Sequence, residues 1–332
     1  MERSARLAAA AEAVPEPGVE GLREAWFRPM GYSLRLVTDS EAVLEAARVS
    51  FRGFGEEAPC PEPDLDFRLV GDPDGRRAGE EPAEPVLWFD RPRARQTAAD
   101  GSELVLDGAT GRARGRFSGA TLAHTAFFRW HYLDLALFFM LEARGFVGVH
   151  GAAVARDGRA LLLRAPCGQG KTVLTYAAAR RGFQALAEDV VWLAPGDGPW
   201  WGAPWAFRLL PDARDLFPEL DGYRPTVQIN GEEKIEVDLE ALRPGSTVVS
   251  AEPGPVVMVR RAPGEASRIE PLAPGEAETA WRAGAASRES GIAGYEAAVA
   301  PLLRRGVFRL RFGDDIDRAV ELLAELADGT AP

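Results

Sequence analysis

The spacing of apolar and polar residues changes period several times along this chain, and each change marks a new element. Residues 1–25 are rich in Ala, Glu and Arg, which predicts a helical arm interrupted at Pro15 and Pro17. From Trp26 the period falls to two. Tyr32-Ser-Leu-Arg-Leu-Val37 alternates as a half-buried strand does, and Asp39 or Ser40 is placed to cap a helix running to Phe51. Asp66–Val70, Pro85–Phe89, Glu103–Leu106 and Arg112–Phe117 follow as short strands separated by Gly, Pro and Asp turns. Together they predict a small α+β domain over residues 26–122. Between Ala123 and Arg144 apolar residues fall nearly all round a helix, which predicts a buried linking helix (123–144) stopped at Gly145.

Residues 145–332 read as a second, α/β domain. Gly145–Val154 and Gly158–Arg164 form strand, turn, strand, and Ala160-Leu-Leu-Leu163 is the continuous apolar run of a buried strand. Ala165-Pro-Cys-Gly-Gln-Gly-Lys-Thr172 follows, then a helix over Thr172–Arg181 with Val173, Leu174, Ala177 and Ala178 on one face and Gly182 as its stop. A further strand ends at the acidic pair Glu188-Asp189, and Val-Val-Trp-Leu193 begins another. The Trp-rich loop Ala194–Trp205 reads as a plug at a core edge in preference to an exposed recognition surface. Phe207 starts a strand, Pro211–Leu220 a short helix, and residues 273–305 tend to helix, divided at Gly291 and Gly294. Val307–Phe312 is a closing strand and Ile316–Leu326 an amphipathic helix.

The chemistry concentrates in the loop before that helix. A Gly-rich loop ending in Gly170-Lys171-Thr172 and opening a helix aims several backbone N–H groups at one anion. Lys171 adds a point charge, and the Thr172 hydroxyl suits Mg²⁺. Carboxylates at a strand end beside such a loop serve phosphoryl transfer by holding Mg²⁺ and accepting the proton of the attacking hydroxyl. Taken on its own residues, His150 reads as a core histidine with one satisfied N–H, and His124 and His131 read as structural. No Cys/His grouping suits zinc.

The formal net charge of −11 argues against a nucleic-acid footprint, which would be basic. Only Cys60 and Cys167 occur, and Cys167 lies inside the Gly-rich loop, so a disulfide is not expected and a reducing, cytoplasmic setting is. The N-terminus lacks the long apolar region of a secretory signal, and no apolar run reaches membrane-spanning length.

The string His150-Gly-Ala-Ala-Val-Ala, Gly158-Arg-Ala-Leu-Leu-Leu, Gly168-Gln-Gly-Lys-Thr, Ala179-Arg-Arg-Gly-Phe and Glu188-Asp-Val-Val-Trp-Leu resembles the HPr kinase/phosphorylase superfamily, and within it the HPr-kinase-related serine kinases found beside peptide natural-product genes. Gly231-Glu-Glu-Lys234-Ile-Glu-Val-Asp238 looks like that family's Lys-containing hairpin, and Pro255–Arg261, Ser267–Leu272 and Val307–Phe312 like its late strands. The resemblance implies an α/β P-loop nucleotide domain of HPr-kinase/PEP-carboxykinase type carrying ATP and Mg²⁺. It also implies transfer of the γ-phosphate to a Ser or Thr hydroxyl of a peptide or small protein. By the same resemblance Gly168, Gln169, Gly170, Lys171 and Thr172 hold the phosphates, with Thr172 and Asp189 on the metal. Glu188 is then the general base, His150 sits near the transferred phosphate and Lys234 neutralises its charge. Rings or dimers are frequent in the superfamily, so the resemblance is compatible with a homo-oligomer.

Three positions depart from the family pattern: Ala165 for the first loop Gly, Cys167 for the loop Ser, and Glu188 for the first Asp. Ala165 lowers affinity if the loop needs positive φ there. A thiol is a weak hydrogen-bond partner, and one extra methylene alters the reach of a base. A nucleotide-binding scaffold without transfer, working in a peptide biosynthetic pathway, is therefore the rival expectation. No phosphorolysis signature is recognisable.

Overall fold

The computed structural model describes residues 21–55, 57–72, 75–204, 206–228, 231–284 and 289–330, and within them the chain is a mixed α/β structure built on several sheets. The chain divides into two compact units, Met1–Arg144 and Gly145–Pro332.

The first unit carries one seven-stranded sheet. Its strands are β1 (Arg23–Phe27), β2 (Leu34–Thr38), β3 (Leu65–Asp72), β4 (Val86–Asp90), β5 (Arg93–Thr97), β6 (Glu103–Asp107) and β7 (Arg112–Ser118). Their order is β1-β2-β3-β7-β6-β5-β4. The β2–β3 and β3–β7 pairs are parallel. The Glu41–Phe51 helix makes the β2–β3 crossover and buries Val43, Leu44, Ala46, Ala47 and Phe51. Ser40 stands at its N-cap without a capping side-chain bond. The Thr38 hydroxyl instead accepts the Ser40 N–H, and Asp39 Oδ1 accepts the Gly71 N–H.

Three expectations change here. Residues 1–20 of the predicted helical arm lie outside the described residues, and Arg23–Ala25 begin a strand. Burial of Trp26 and Phe27 and pairing with β2 outweigh the helical propensity of Glu and Ala. Strand β5 (Arg-Ala-Arg-Gln-Thr) went unpredicted because its apolar alternation is weak; it is held by neighbours on both sides. The linking helix is a broken run: Gly119–Ala123, Thr125–Phe128, a π turn at Arg129–Asp134, and Leu135–Ala143. It starts early because Ser118 caps it, its hydroxyl accepting the Thr121 N–H at 3.1 Å. It breaks at His124, whose φ of −100° and ψ of 74° are not helical. The run packs on the sheet, with Phe128 and Tyr132 each meeting Phe117 edge-on at 4.8 Å.

Among its described residues the second unit has the strands β8 (Val147–His150), β9 (Ala152–Arg156), β10 (Arg159–Arg164), β11 (Gln184–Ala187), β12 (Val190–Leu193), β13 (Trp200–Trp201), β14 (Phe207–Leu209), β15 (Thr226–Val227), β16 (Glu233–Val237), β17 (Ser250–Ala251), β18 (Val256–Arg261), β19 (Arg268–Pro271) and β20 (Val307–Phe312). They form sheets ordered β11-β9-β10-β18-β20-β19, β17-β13-β12-β8 and β14-β16-β15. β10, β18 and β20 run parallel, so their carboxyl ends lie along one edge. Leu161 and Leu163 join one apolar cluster with the Lys171–Arg180 helix, while Ala160 and Leu162 join another with Trp281 and Val299. Burial on both faces is why β10 lacks alternation.

Trp200 is buried and pairs opposite Leu193, consistent with a core-edge role for that loop; Trp205 lies outside the described residues. The predicted Pro211–Leu220 helix is two 3₁₀ turns, Pro211–Asp215 and Pro218–Leu220. The second proline lacks the N–H an α-helix would need in its interior. Among the described residues no helix is long and apolar enough to cross a membrane.

Candidate functional site

β10 leads directly into the Gly-rich loop, and the Lys171–Arg180 helix leads out of it. Gly168 and Gly170 take φ of 77° and 81°, a left-handed conformation that glycine enters without strain. Gly170 is tightly placed too: a Cβ there would lie 2.6 Å from the Phe312 ring at the end of β20. Ala165 does not have positive φ and is buried in the core, so replacing glycine at this position introduces no backbone strain. Gln169 turns its side-chain oxygen to accept the Arg261 N–H at 3.1 Å, which ties the loop to the end of β18. Cys167 is exposed and free.

Lys171 is buried, and its ammonium donates to the carbonyls of Ala165 at 2.8 Å and Pro166 at 3.3 Å. The side chain thus folds back across the loop and fixes its curvature. Burial lowers the Lys171 pKa, opposed by Cys167, Asp189 and Glu188 nearby. The Thr172 hydroxyl donates to Glu188 Oε1 at 2.7 Å. That bond uses its proton and leaves its oxygen lone pairs free for another partner.

Glu188 and Asp189 occupy the turn between β11 and β12. Adjacent carboxylates have been given opposite environments. Burial pushes Glu188 up, with the charge of Asp189 adding to it, against the Thr172 hydrogen bond and the positive charges of Arg208 and Lys234. The side chain of Asp189 is 55% exposed and pairs with His150, Nδ1 to Oδ1, at 3.0 Å. That hydrogen bond is the main reason its carboxyl lies below the usual range. With Nδ1 turned to Asp189, the other ring nitrogen, Nε2, is buried and has no hydrogen-bond partner among the described residues.

His150 ends β8 opposite Val190, and Asp189 O accepts the Gly151 N–H at 2.9 Å, so backbone pairing brings the imidazole to the acidic turn. Lys234 sits on β16, ion-paired with Glu232 at 3.1 Å and close enough for its charge to act on Glu188. The structure therefore gathers Gly168, Gln169, Gly170, Lys171 and Thr172 in one loop, with Glu188 bonded to Thr172 and Asp189 bonded to His150. His124 Nδ1 lies 2.9 Å from the Ala120 carbonyl, and burial lowers the His131 pKa; neither belongs to this group.

Two contributors were not anticipated. Arg208, on β14, places positive charge on both Glu188 and Asp189. In sequence it is the outward residue of a short strand, with nothing to distinguish it from a solvated arginine. The second is a buried ion pair between Arg164 and Glu289, at 2.6 Å, whose partners are 125 residues apart.

An oxygen donor set of hydroxyl and carboxylates suits a hard cation such as Mg²⁺. The free lone pairs on Thr172 and the ionised Asp189 are the groups that would hold it. Among the described residues no cluster of three or more His, Cys, Asp or Glu side chains would bind a metal alone. Magnesium in such a place relies on substrate phosphates for further oxygens.

No family model matches the chain, and no curated protein sequence matches it. Among solved structures it is similar to the Hpr(Ser) kinase/phosphatase from Coxiella burnetii, with 14% identity over 55% of this chain and 94% of that one, at a TM-score of 0.27. Likeness at that level establishes no shared activity, and the chemistry of the loop rests on its own geometry.

Proposed function

We propose that Ala165–Thr172 is a P-loop of HPr-kinase type and that the second unit is an ATP-dependent phosphotransferase domain acting on a Ser or Thr hydroxyl of a peptide or small protein. The observation that carries this reading is the convergence on one turn of two left-handed glycines, a buried lysine and a threonine bonded to a carboxylate. A loop opening a ten-residue helix presents N–H groups to phosphate, and Lys171 adds charge once its carbonyl partners are exchanged for phosphate oxygens.

Glu188 accepts the acceptor's proton. A carboxylate pushed upward in pKa is the better base near neutral pH, while Asp189, held ionised by His150, supplies permanent negative charge. Thr172 and Asp189 would hold Mg²⁺, which when bound neutralises charge on the phosphates. Lys234 and Arg208 line the acidic turn and offset the negative charge that accumulates there. Incubation with labelled ATP, Mg²⁺ and Ser/Thr-containing acceptor peptides tests the reading, with Glu188→Gln expected to keep nucleotide affinity and lose transfer. Transfer undiminished in Glu188→Gln removes that residue from the base role, and failure of the wild type to bind ATP·Mg²⁺ in a calorimetric titration overturns the proposal.

One observation favours a second reading, a nucleotide-binding scaffold of a peptide biosynthetic pathway that does not transfer phosphate. One oxygen of Glu188 is already occupied by the Thr172 hydroxyl, and the loop residue with a free side chain is a thiol. Calorimetric binding without labelled product would select it.

A further inference from the structure

Arg164 is the last residue of β10 and immediately precedes the loop. It is fully buried, with its guanidinium centre 3.8 Å above the Trp281 ring. Its two terminal nitrogens grip Glu289 side by side: Nη1 donates to Oε1 at 2.9 Å and Nη2 to Oε2 at 2.6 Å. Nε donates to the Trp281 carbonyl at 3.3 Å. Glu289 is equally enclosed, and its Oε2 also accepts the Tyr295 hydroxyl at 2.9 Å.

The same pair reaches His150 twice. Glu289 Oε1 accepts the His150 N–H at 2.5 Å, and Arg164 Nη1 donates to the His150 carbonyl at 2.9 Å. Both backbone polar groups of one residue are therefore held by one buried ion pair. Burial alone would push Glu289 up, yet the bonds and charge of Arg164 bring its carboxyl below the ordinary value, so the pair stays charged. A buried pair is weak grounds for stability, because desolvation consumes much of the attraction. Its fixed geometry is what distinguishes it from an apolar replacement.

We infer that Arg164 and Glu289 are positioning residues that set His150, and through it Asp189, in register with the phosphate loop. The inference rests on the phosphotransfer reading for its consequence, and on geometry alone for the clamp itself. Arg164 is covalently one residue from the loop, His150 is one hydrogen bond from Asp189, and Glu289 joins them. Misplacement by about 1 Å at a reacting group costs on the order of a hundredfold in rate. A clamp acting here changes turnover and leaves phosphate binding by the loop largely intact.

The test uses Glu289→Gln in the full chain, which keeps shape and removes charge. Only three histidines occur, so the ring signals can be assigned by substitution and followed by proton NMR. We expect the His150 ring signals to move while those of His124 and His131 stay. We expect kcat to fall at least tenfold, with nucleotide affinity changed less than threefold. Once Glu289→Gln is present, His150→Ala should cost little more, because both act through the same group, whereas a merely structural role gives additive losses. Unmoved His150 signals, or additive losses, overturn the clamp. Should Glu289→Gln fail to fold, Tyr295→Phe decides: it removes one bond to Glu289 and should shift the His150 signals in part, and no shift overturns the inference. Absence of transfer in the wild type sinks the phosphotransfer reading and leaves the NMR arm to judge the clamp.

Discussion

Glu188 and Asp189 are neighbours with opposite linkage to pH. Glu188 has an ordinary value of 4.5 that rises on folding, so ionising it costs more in the folded chain than in the unfolded one. Below 4.5 the carboxyl is neutral in both states and the cost vanishes; as pH rises through the folded value, the cost becomes complete. Asp189 has the reverse sign, and its contribution is present above 3.8 and lost as pH falls through its lowered folded value. Glu188→Gln is therefore expected to melt at higher temperature than the wild type at neutral pH, with the gain shrinking as pH is lowered toward 4.5. Scanning calorimetry at several pH values checks this. A constant or reversed difference would show that burial does not govern Glu188. Such a stability cost fits the phosphotransfer proposal, since reactive groups are held in environments that favour activity over stability.

At the level of elements, the loop makes a sharp distinction between its two glycines. Both are left-handed, so alanine at either costs about 1–2 kcal/mol in backbone strain. Gly168 has open space around its missing Cβ, whereas Gly170 abuts Phe312. Urea denaturation should find Gly168→Ala destabilised by roughly the strain alone and Gly170→Ala by clearly more. Equal losses would mean that the end of β20 does not press on the loop. The loop and its helix were legible in sequence because their signals are local: an apolar run, two glycines, a Gly-Lys-Thr string and a stop at Gly182. The strand-turn-strand around Glu188 was legible for the same reason. The early start of the linking run at Gly119 was not, because it depends on a cap by Ser118 upstream of the apolar run. Arg208 and the Arg164–Glu289 pair were not legible either. Their meaning lies in which side chains meet across distant strands and turns, and no spacing within a single element encodes that.

For the whole molecule, a net charge of −11 disfavours a polyanionic ligand at long range, so any nucleotide affinity has to come from short-range groups. In the proposed site those groups are the loop amides, Lys171, Lys234 and Arg208, and all belong to the second unit. A ligand that binds only the folded state stabilises it by about 2.7 kcal/mol at a hundredfold excess over Kd. ATP·Mg²⁺ should raise the melting temperature of the wild type, and Lys171→Ala should abolish the rise. Amide hydrogen exchange locates the effect independently: nucleotide should slow exchange over residues 165–174 and 188–190 and leave β1 to β7 unchanged. The two measurements fail in different ways. A rise that survives Lys171→Ala, or protection confined to the first unit, moves the nucleotide elsewhere. A rise lost in that variant, with protection at the loop, ties the binding energy to the amide cradle that follows Arg164.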